Sequence, residues 1–244
     1  MKAAPDDQAL LLDLQALDTK LAQLDHRAKS LPEIAILAEF AKQADAARAT
    51  ASEQRGTRED IQLELKRLES DVAVVETRIA RDAERLATSS SVKDVAALEQ
   101  ELAALRKRQS DLEDIELSVM ERLEEAESIL AATTDALADI DAKVAVATEA
   151  RDAALGAITA ERTEAIAGRQ VIQAKVPADL YALYEKQRTR YGTGASLLRF
   201  GVSSATGVKL LENEMQEIRA AAPDDVIMCA SSDAILVRTA ESGL

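Results

Sequence analysis

The chain has one cysteine, Cys229, one histidine, His26, no tryptophan and five other aromatic residues. A single cysteine excludes an intramolecular disulfide. It also excludes a zinc site built from this chain's thiolates alone, because a structural site takes four Cys or His ligands. The lone histidine falls in the leucine-patterned N-terminal stretch, far along the chain from the cysteine, so no Cys–His nucleophile pair is expected. No GxxxxGK[ST] or GxGxxG run is present, which leaves no phosphate-loop signature. The isolated run 191–194 (YGTG) is too short to serve as one. No apolar stretch approaches the length of a bilayer span, and residues 1–7 (MKAAPDD) have no apolar signal core. The expectation is a cytoplasmic protein without catalytic activity, cofactor or membrane partner.

What is abundant points the same way. Ala, Leu, Glu, Asp, Lys and Arg dominate, the profile of long helices. Acidic residues number 44 against 30 basic, a net charge of −14 that opposes whole-chain attraction to nucleic acid or anionic lipid. Apolar residues recur in alternating steps of three and four. The stripe begins at Leu10, Leu14, Leu17, Leu21, Leu24, Ala28 and Leu31. It resumes at Ile61, Leu65, Leu68, Val72, Val75 and Ile79. It returns at Leu98, Leu102, Leu105, Gln109 and Leu112, and again at Val119, Leu123, Ala126 and Leu130. Such spacing keeps one helical face apolar, and that face needs a helical partner.

Glycine, proline and aromatic residues divide the chain near Val176 and Pro177: four of the five aromatics lie beyond that point. Residues 1–176 read as a coiled-coil hairpin. A helix starts near Asp6, a kink is expected at 30–32 because Pro32 lacks an N–H, and the alanine-rich stretch 38–58 is weakly patterned. The serine-rich run 88–91 is the turn, with Ser91 as a cap and Asp94 as its weak capping-box partner. Near-equal arms on a short loop predict antiparallel pairing, with Leu68 near Leu112 and Leu10 near residues 168–170. Each arm of such a hairpin would be roughly 120 Å long. An uninterrupted helix paired between molecules is the alternative, and the expected state is a monomer or weak homo-oligomer.

Residues 177–244 read as a small α+β module: a proline-started helix at 177–184, strands at 195–202, 226–229 and 234–238, and a helix at 211–221. Leu197, Leu198, Phe200, Val208, Leu210, Leu211, Ile218, Val226, Ile227, Ile235 and Val237 are its candidate core.

Two sets of side chains invite a functional reading. Lys186, Arg188, Arg190 and Arg199 interleave with Tyr184, Tyr191 and Phe200, and cations with aromatics can contact nucleic acid. The second is Cys229 in the turn 229–232, with 203–206 as a partner turn. Here the chain resembles a bacterial family with an N-terminal coiled-coil hairpin and a C-terminal C4-type zinc ribbon. The resemblance rests on residues 11–18 (LLDLQALD), 91–99 (SVKDVAALE), 108–114 (RQSDLED), 177–180 (PADL), 184–185 (YE), 218–225 (IRAAAPDD) and 235–239 (ILVRT). It implies two CxxC pairs, which here fall on Ser203 and Thr206 and on Cys229 and Ser232. Three of the four ligand positions carry hydroxyls, which are hard to deprotonate and poor zinc ligands. The resemblance therefore implies a ribbon frame without its metal, held by its apolar core. It further implies a scaffold that binds protein partners through hairpin and module, with nucleic acid as the alternative partner.

Overall fold

The computed structural model describes residues 1–244. Contacts divide them into two compact units, residues 35–149 and residues 1–34 with 150–244. The helices are α1 (Pro5–Lys29), α2 (Pro32–Thr88), α3 (Val92–Gln173), α4 (Ala178–Tyr191) and α5 (Glu212–Ala220); the strands are β1 (Ala195–Arg199), β2 (Val202–Ser203), β3 (Ile227–Met228) and β4 (Ile235–Val237). No helix is long and apolar enough to cross a membrane. The architecture is a long antiparallel helical hairpin with a small C-terminal sheet module, as the pattern predicts.

In the unit 35–149, α2 ends at Thr88 and α3 starts at Val92. The Ser91 carbonyl accepts from Val95 N–H at 2.9 Å; its side chain makes no capping bond. Antiparallel pairing follows from the cross-helix contacts. Arg78 pairs with Glu101, Glu76 accepts from Gln109, Glu64 binds Arg122 at 3.2 Å, and Arg48 meets Asp141 at 3.7 Å. Ile61, Leu98, Leu102, Leu112 and Val119 are buried in the seam. In the alanine-rich stretch the seam is kept by Ala44 and Ala51, one heptad apart and both buried.

In the other unit, α1 pairs with the C-terminal part of α3 through Asp25–Arg162 (2.9 Å) and Arg27–Glu161 (3.6 Å). Leu24, Leu31 and Ile158 form a cluster there. Gly168 faces Leu17, 3.7 Å from the point a Cβ would occupy. The pairing is thus one heptad away from the Leu10 register expected from equal arms. The stretch at Ser30 is also more than a kink: α1 stops, Ser30 N–H returns to His26 and Arg27 carbonyls, and a new helix starts at Pro32. Proline suits a first helical turn, where its missing N–H has no intrahelical partner.

The sheet order is β2-β1-β4-β3, with β1 and β4 parallel and the outer pairs antiparallel. The expected single strand 195–202 is split by a two-residue turn at Phe200 (φ 46°) and Gly201 (φ 77°), which reverses the chain into β2. One sheet face packs on the helices, with Leu11, Leu14, Leu180, Tyr184, Ile235 and Val237 buried together. The other packs on α5 through Leu198, Leu210, Met215, Ile218 and Leu236. Arg238 fastens the end of α5 by donating to the carbonyls of Ile218, Ala221, Ala222, Pro223 and Asp225. Of these, the Ile218 carbonyl belongs to the last turn of α5, where carbonyls have no partner within the helix.

Three of the expected core residues lie outside. Phe200 is 71% exposed, Leu211 64% and Val208 54%. Each sits in or beside a turn, where apolar character alone does not say which way a side chain points.

Candidate functional site

The turns at 203–208 and 229–234 share one backbone frame. In 203–208, Ser203 N–H donates to Val208 C=O (3.1 Å) and Gly207 N–H to Ser203 C=O (2.8 Å). In 229–234, Cys229 N–H donates to Ala234 C=O and Asp233 N–H to Cys229 C=O, both 2.8 Å. The fifth residue is left-handed in each, Gly207 at φ 68° and Asp233 at φ 54°. The fourth side chain does the same task in each: Thr206 Oγ1 accepts from Val208 N–H (3.2 Å) and Ser232 Oγ from Ala234 N–H (3.5 Å).

The first residues of the two turns meet. Cys229 Sγ donates to Ser203 Oγ at 3.5 Å and lies 3.2 Å from Ser231 Oγ. Ser203 Oγ is 2.8 Å from Ser196 Oγ, which also accepts from Ala205 N–H. Cys229, Ser203 and Ser196 are all buried. Burial pushes the Cys229 thiol up, but hydrogen bonding with Ser231, Ser232 and Ser203, whose hydroxyls can turn to donate to a thiolate, outweighs it and brings the pKa down to about 7. The four positions do not fit zinc. One thiolate is opposed by three neutral hydroxyls, two of them engaged within their own turns, and no group of three His, Cys, Asp or Glu side chains converges anywhere in the chain. What this arrangement does chemically is hydrogen-bond one turn to the other.

A second polar cluster ties α4 and β1 to the helices. Asp18 accepts from Arg169 Nε (2.7 Å) and Tyr184 Oη (2.7 Å), and Arg188 Nε lies 3.5 Å away. Arg169 also binds Glu185, and donates to Tyr181 Oη at 3.2 Å. Gln15 Oε1 accepts from Gly194 N–H (2.7 Å) and Ala195 N–H (3.3 Å). Burial opposes charge on Arg169, yet its bonds to Asp18, Tyr181 and Glu185 raise its pKa on balance. Burial, reinforced by the Asp18 carboxylate, pushes the Tyr184 phenol up. For Glu185 burial acts upward, but Arg188 and Arg169 hold the carboxyl below its ordinary range.

This cluster takes apart the basic-aromatic patch read from the sequence. Tyr184 is fully buried and cannot stack on a base, and Arg188 is paired with Glu185 at 2.6 Å. Arg199 pairs with Glu241 at 3.1 Å. Lys186, Arg190 and Tyr191 remain exposed, Arg190 lying 5.1 Å over the Tyr191 ring. Asp18, Gln15 and Arg169 escaped notice in the sequence. Each sits among many similar residues on a repetitive helix, and only the tertiary pairing singles it out. His26 is exposed on α1 and not bonded to Cys229.

Residues 14–192 match the model of the CT398-like coiled coil hairpin domain. Two Mycobacterium tuberculosis proteins are each 35% identical over 239 residues, covering 98% of this chain and 98% of their own. A solved Mycobacterium smegmatis structure superposes with a TM-score of 0.88 at 32% identity, over 98% of this chain and all of that one. CT398 from Chlamydia trachomatis shares the fold at a TM-score of 0.66 and 19% identity, over 96% of this chain and 98% of its own.

Proposed function

This chain belongs to the CT398-like coiled coil hairpin family, and from that premise we propose that it is a non-enzymatic adaptor. The hairpin presents surface and spaces partners, and the C-terminal module, a zinc-ribbon frame without metal, docks a protein. The observation that carries this reading is the pair of congruent turns. Their thiol and hydroxyls bond to one another and to their own backbones, leaving no nucleophile with a base and no open ligand set. The module's outward contribution is surface, including exposed Phe200, Leu211 and Val208. Affinity capture from the native cytoplasm, with and without nuclease, tests it. Protein retained in both samples is the expected result; nucleic acid alone, lost on nuclease treatment, would refute the adaptor.

Nucleic-acid binding is the second reading, favoured by the exposed Arg190–Tyr191 stack. It predicts a salt-dependent shift with RNA or DNA that disappears on Lys186→Glu with Arg190→Glu, both exposed.

A further inference from the structure

The edge of the sheet at β3 has a free half. Along residues 224–229, backbone groups alternate in direction. Cys229 N–H bonds to Ala234 of the neighbouring chain segment, and Ile227 pairs with Leu236, so odd-numbered residues face β4. Even-numbered residues face outward. The first two of these are already met by a strand: Ala3 N–H donates to Asp224 C=O at 2.8 Å, and Val226 N–H to Met1 C=O at 3.0 Å. Lys2 bridges Asp225 in antiparallel register and pairs with Asp224 at 2.9 Å. The third, Met228, directs its N–H and C=O outward with no partner among residues 1–244.

Beside this open edge runs a groove of about 340 Å³ between α5 and β3. Ile218, Ala221, Ile227 and Leu236 supply apolar walls, and Glu214 and Glu217 add carboxylates. Glu214 is engaged in capping Leu211 N–H at 2.7 Å, whereas Glu217 is exposed and makes no ion pair.

We propose that the β3 edge at Met228, with the α5 groove, receives an extended segment of a partner protein as an added antiparallel strand. A strand is specified because the unmet groups are a main-chain donor and acceptor at one residue, on an edge where residues 1–3 already dock in that manner. Residues flanking the one opposite Met228 project to the α5 side, into apolar walls, so they are apolar. A lysine or arginine nearby meets Glu217. This inference rests on the adaptor reading and names the chemistry of its partner.

The probe is a fluorescent, acetylated and amidated peptide of sequence lysine-valine-threonine-valine, which ends short of Met1 at the position opposite Val226, titrated into the full chain by anisotropy. Saturable binding is expected, weakened about tenfold by N-methylation of the threonine, which removes one main-chain bond. Met228→Pro removes the outward N–H without touching the β4 ladder, since proline is accepted on strand edges, and weakens binding by about tenfold or more. Glu217→Lys weakens it too and flattens its salt dependence. The N-methyl peptide on the unaltered protein keeps the test valid should Met228→Pro fail to fold. No binding of the parent peptide, or equal binding of the methylated one, overturns the proposal. A native protein partner captured equally by the parent chain and by a folded Met228→Pro variant would overturn the edge and leave the adaptor standing. Failure to capture any protein would instead remove the adaptor.

Discussion

Replacing Asp18 by alanine removes the acceptor shared by Arg169 and Tyr184, and the cost can be worked from the geometry. The Asp18 side chain is 8% exposed and that of Arg169 16%, so water reaches neither well enough to replace the lost bonds. Deleting one partner of a buried ion pair costs about 3–5 kcal/mol. Arg169 keeps Glu185 as a second acceptor, which places the expected loss near 3 kcal/mol, the low end of about 3–5. Tyr184→Phe removes one hydrogen bond to a charged group, worth about 1.5–3 kcal/mol. The double variant should fall short of the sum by about 0.5–3 kcal/mol, because both changes remove the same contact. The assay has a convenient property: all three tyrosines, Tyr181, Tyr184 and Tyr191, lie on α4. Tyrosine fluorescence in a urea titration therefore follows this unit, while far-UV circular dichroism follows helix throughout the chain. An Asp18→Ala loss below about 1 kcal/mol, or strict additivity with Tyr184→Phe, would refute the view that this cluster fastens α4 to the helices.

Ile235→Ala, at a fully buried position packed with Leu11 and Leu14, should cost about 2–5 kcal/mol; limited proteolysis should expose α1 as well as residues 178–244. Gly194→Ala should destabilise by at least about 1–3 kcal/mol, because its Cβ would stand 2.5 Å from the Tyr184 ring and 2.8 Å from the Tyr184 carbonyl oxygen. Gly56→Ala, mid-helix with open space around it, should instead stabilise by up to about 1 kcal/mol; thermal melts of the pair check both signs. Glu185 is held below its ordinary pKa, so its contribution is complete above the unfolded-state value and disappears as pH falls through the folded one; Glu185→Gln should flatten the acid limb of stability measured against pH. Spin labels at 64 and 122, where Glu64 meets Arg122, should report a short distance within one molecule, and a long one would contradict antiparallel pairing of α2 with α3.

The parts of the fold legible in the sequence are those set by local rules. Alternating three- and four-residue steps mark a helix face whatever its partner, so the stripe through Leu112 and Val119 was readable. The serines at 89–91 marked the reversal because nothing apolar continues across them. Proline at 32 announced an interruption, but its severity depends on the chain restarting a helix there. The seam register escaped by about a heptad, and the offset is already present at Glu64–Arg122 and Arg48–Asp141, on the tip side of Pro32, because equal arm lengths do not fix which residues of two repetitive helices meet. The module's strands were found where Ile and Val cluster, yet Phe200 points outward because the turn that holds it is a tertiary choice. Arginine positions were least legible: Arg169, Arg188 and Arg238 resemble any surface cation until their carboxylate and carbonyl partners are known.

Lys2 lies 222 residues from Asp224, the residue its amino group binds. During synthesis at about 5–20 residues per second, roughly 10–45 s pass between the two leaving the ribosome. Through that interval the apolar side chains Leu11 and Leu14 have no module to cover them. The sheet cannot shelter them early, because β4 lies between β1 and β3 in the sheet yet follows both in the chain. A nascent chain stalled before Ile235 would therefore carry a finished hairpin tip and an unsatisfied base. The base is therefore the last part of the fold to close, and it closes only when two distant stretches of sequence meet.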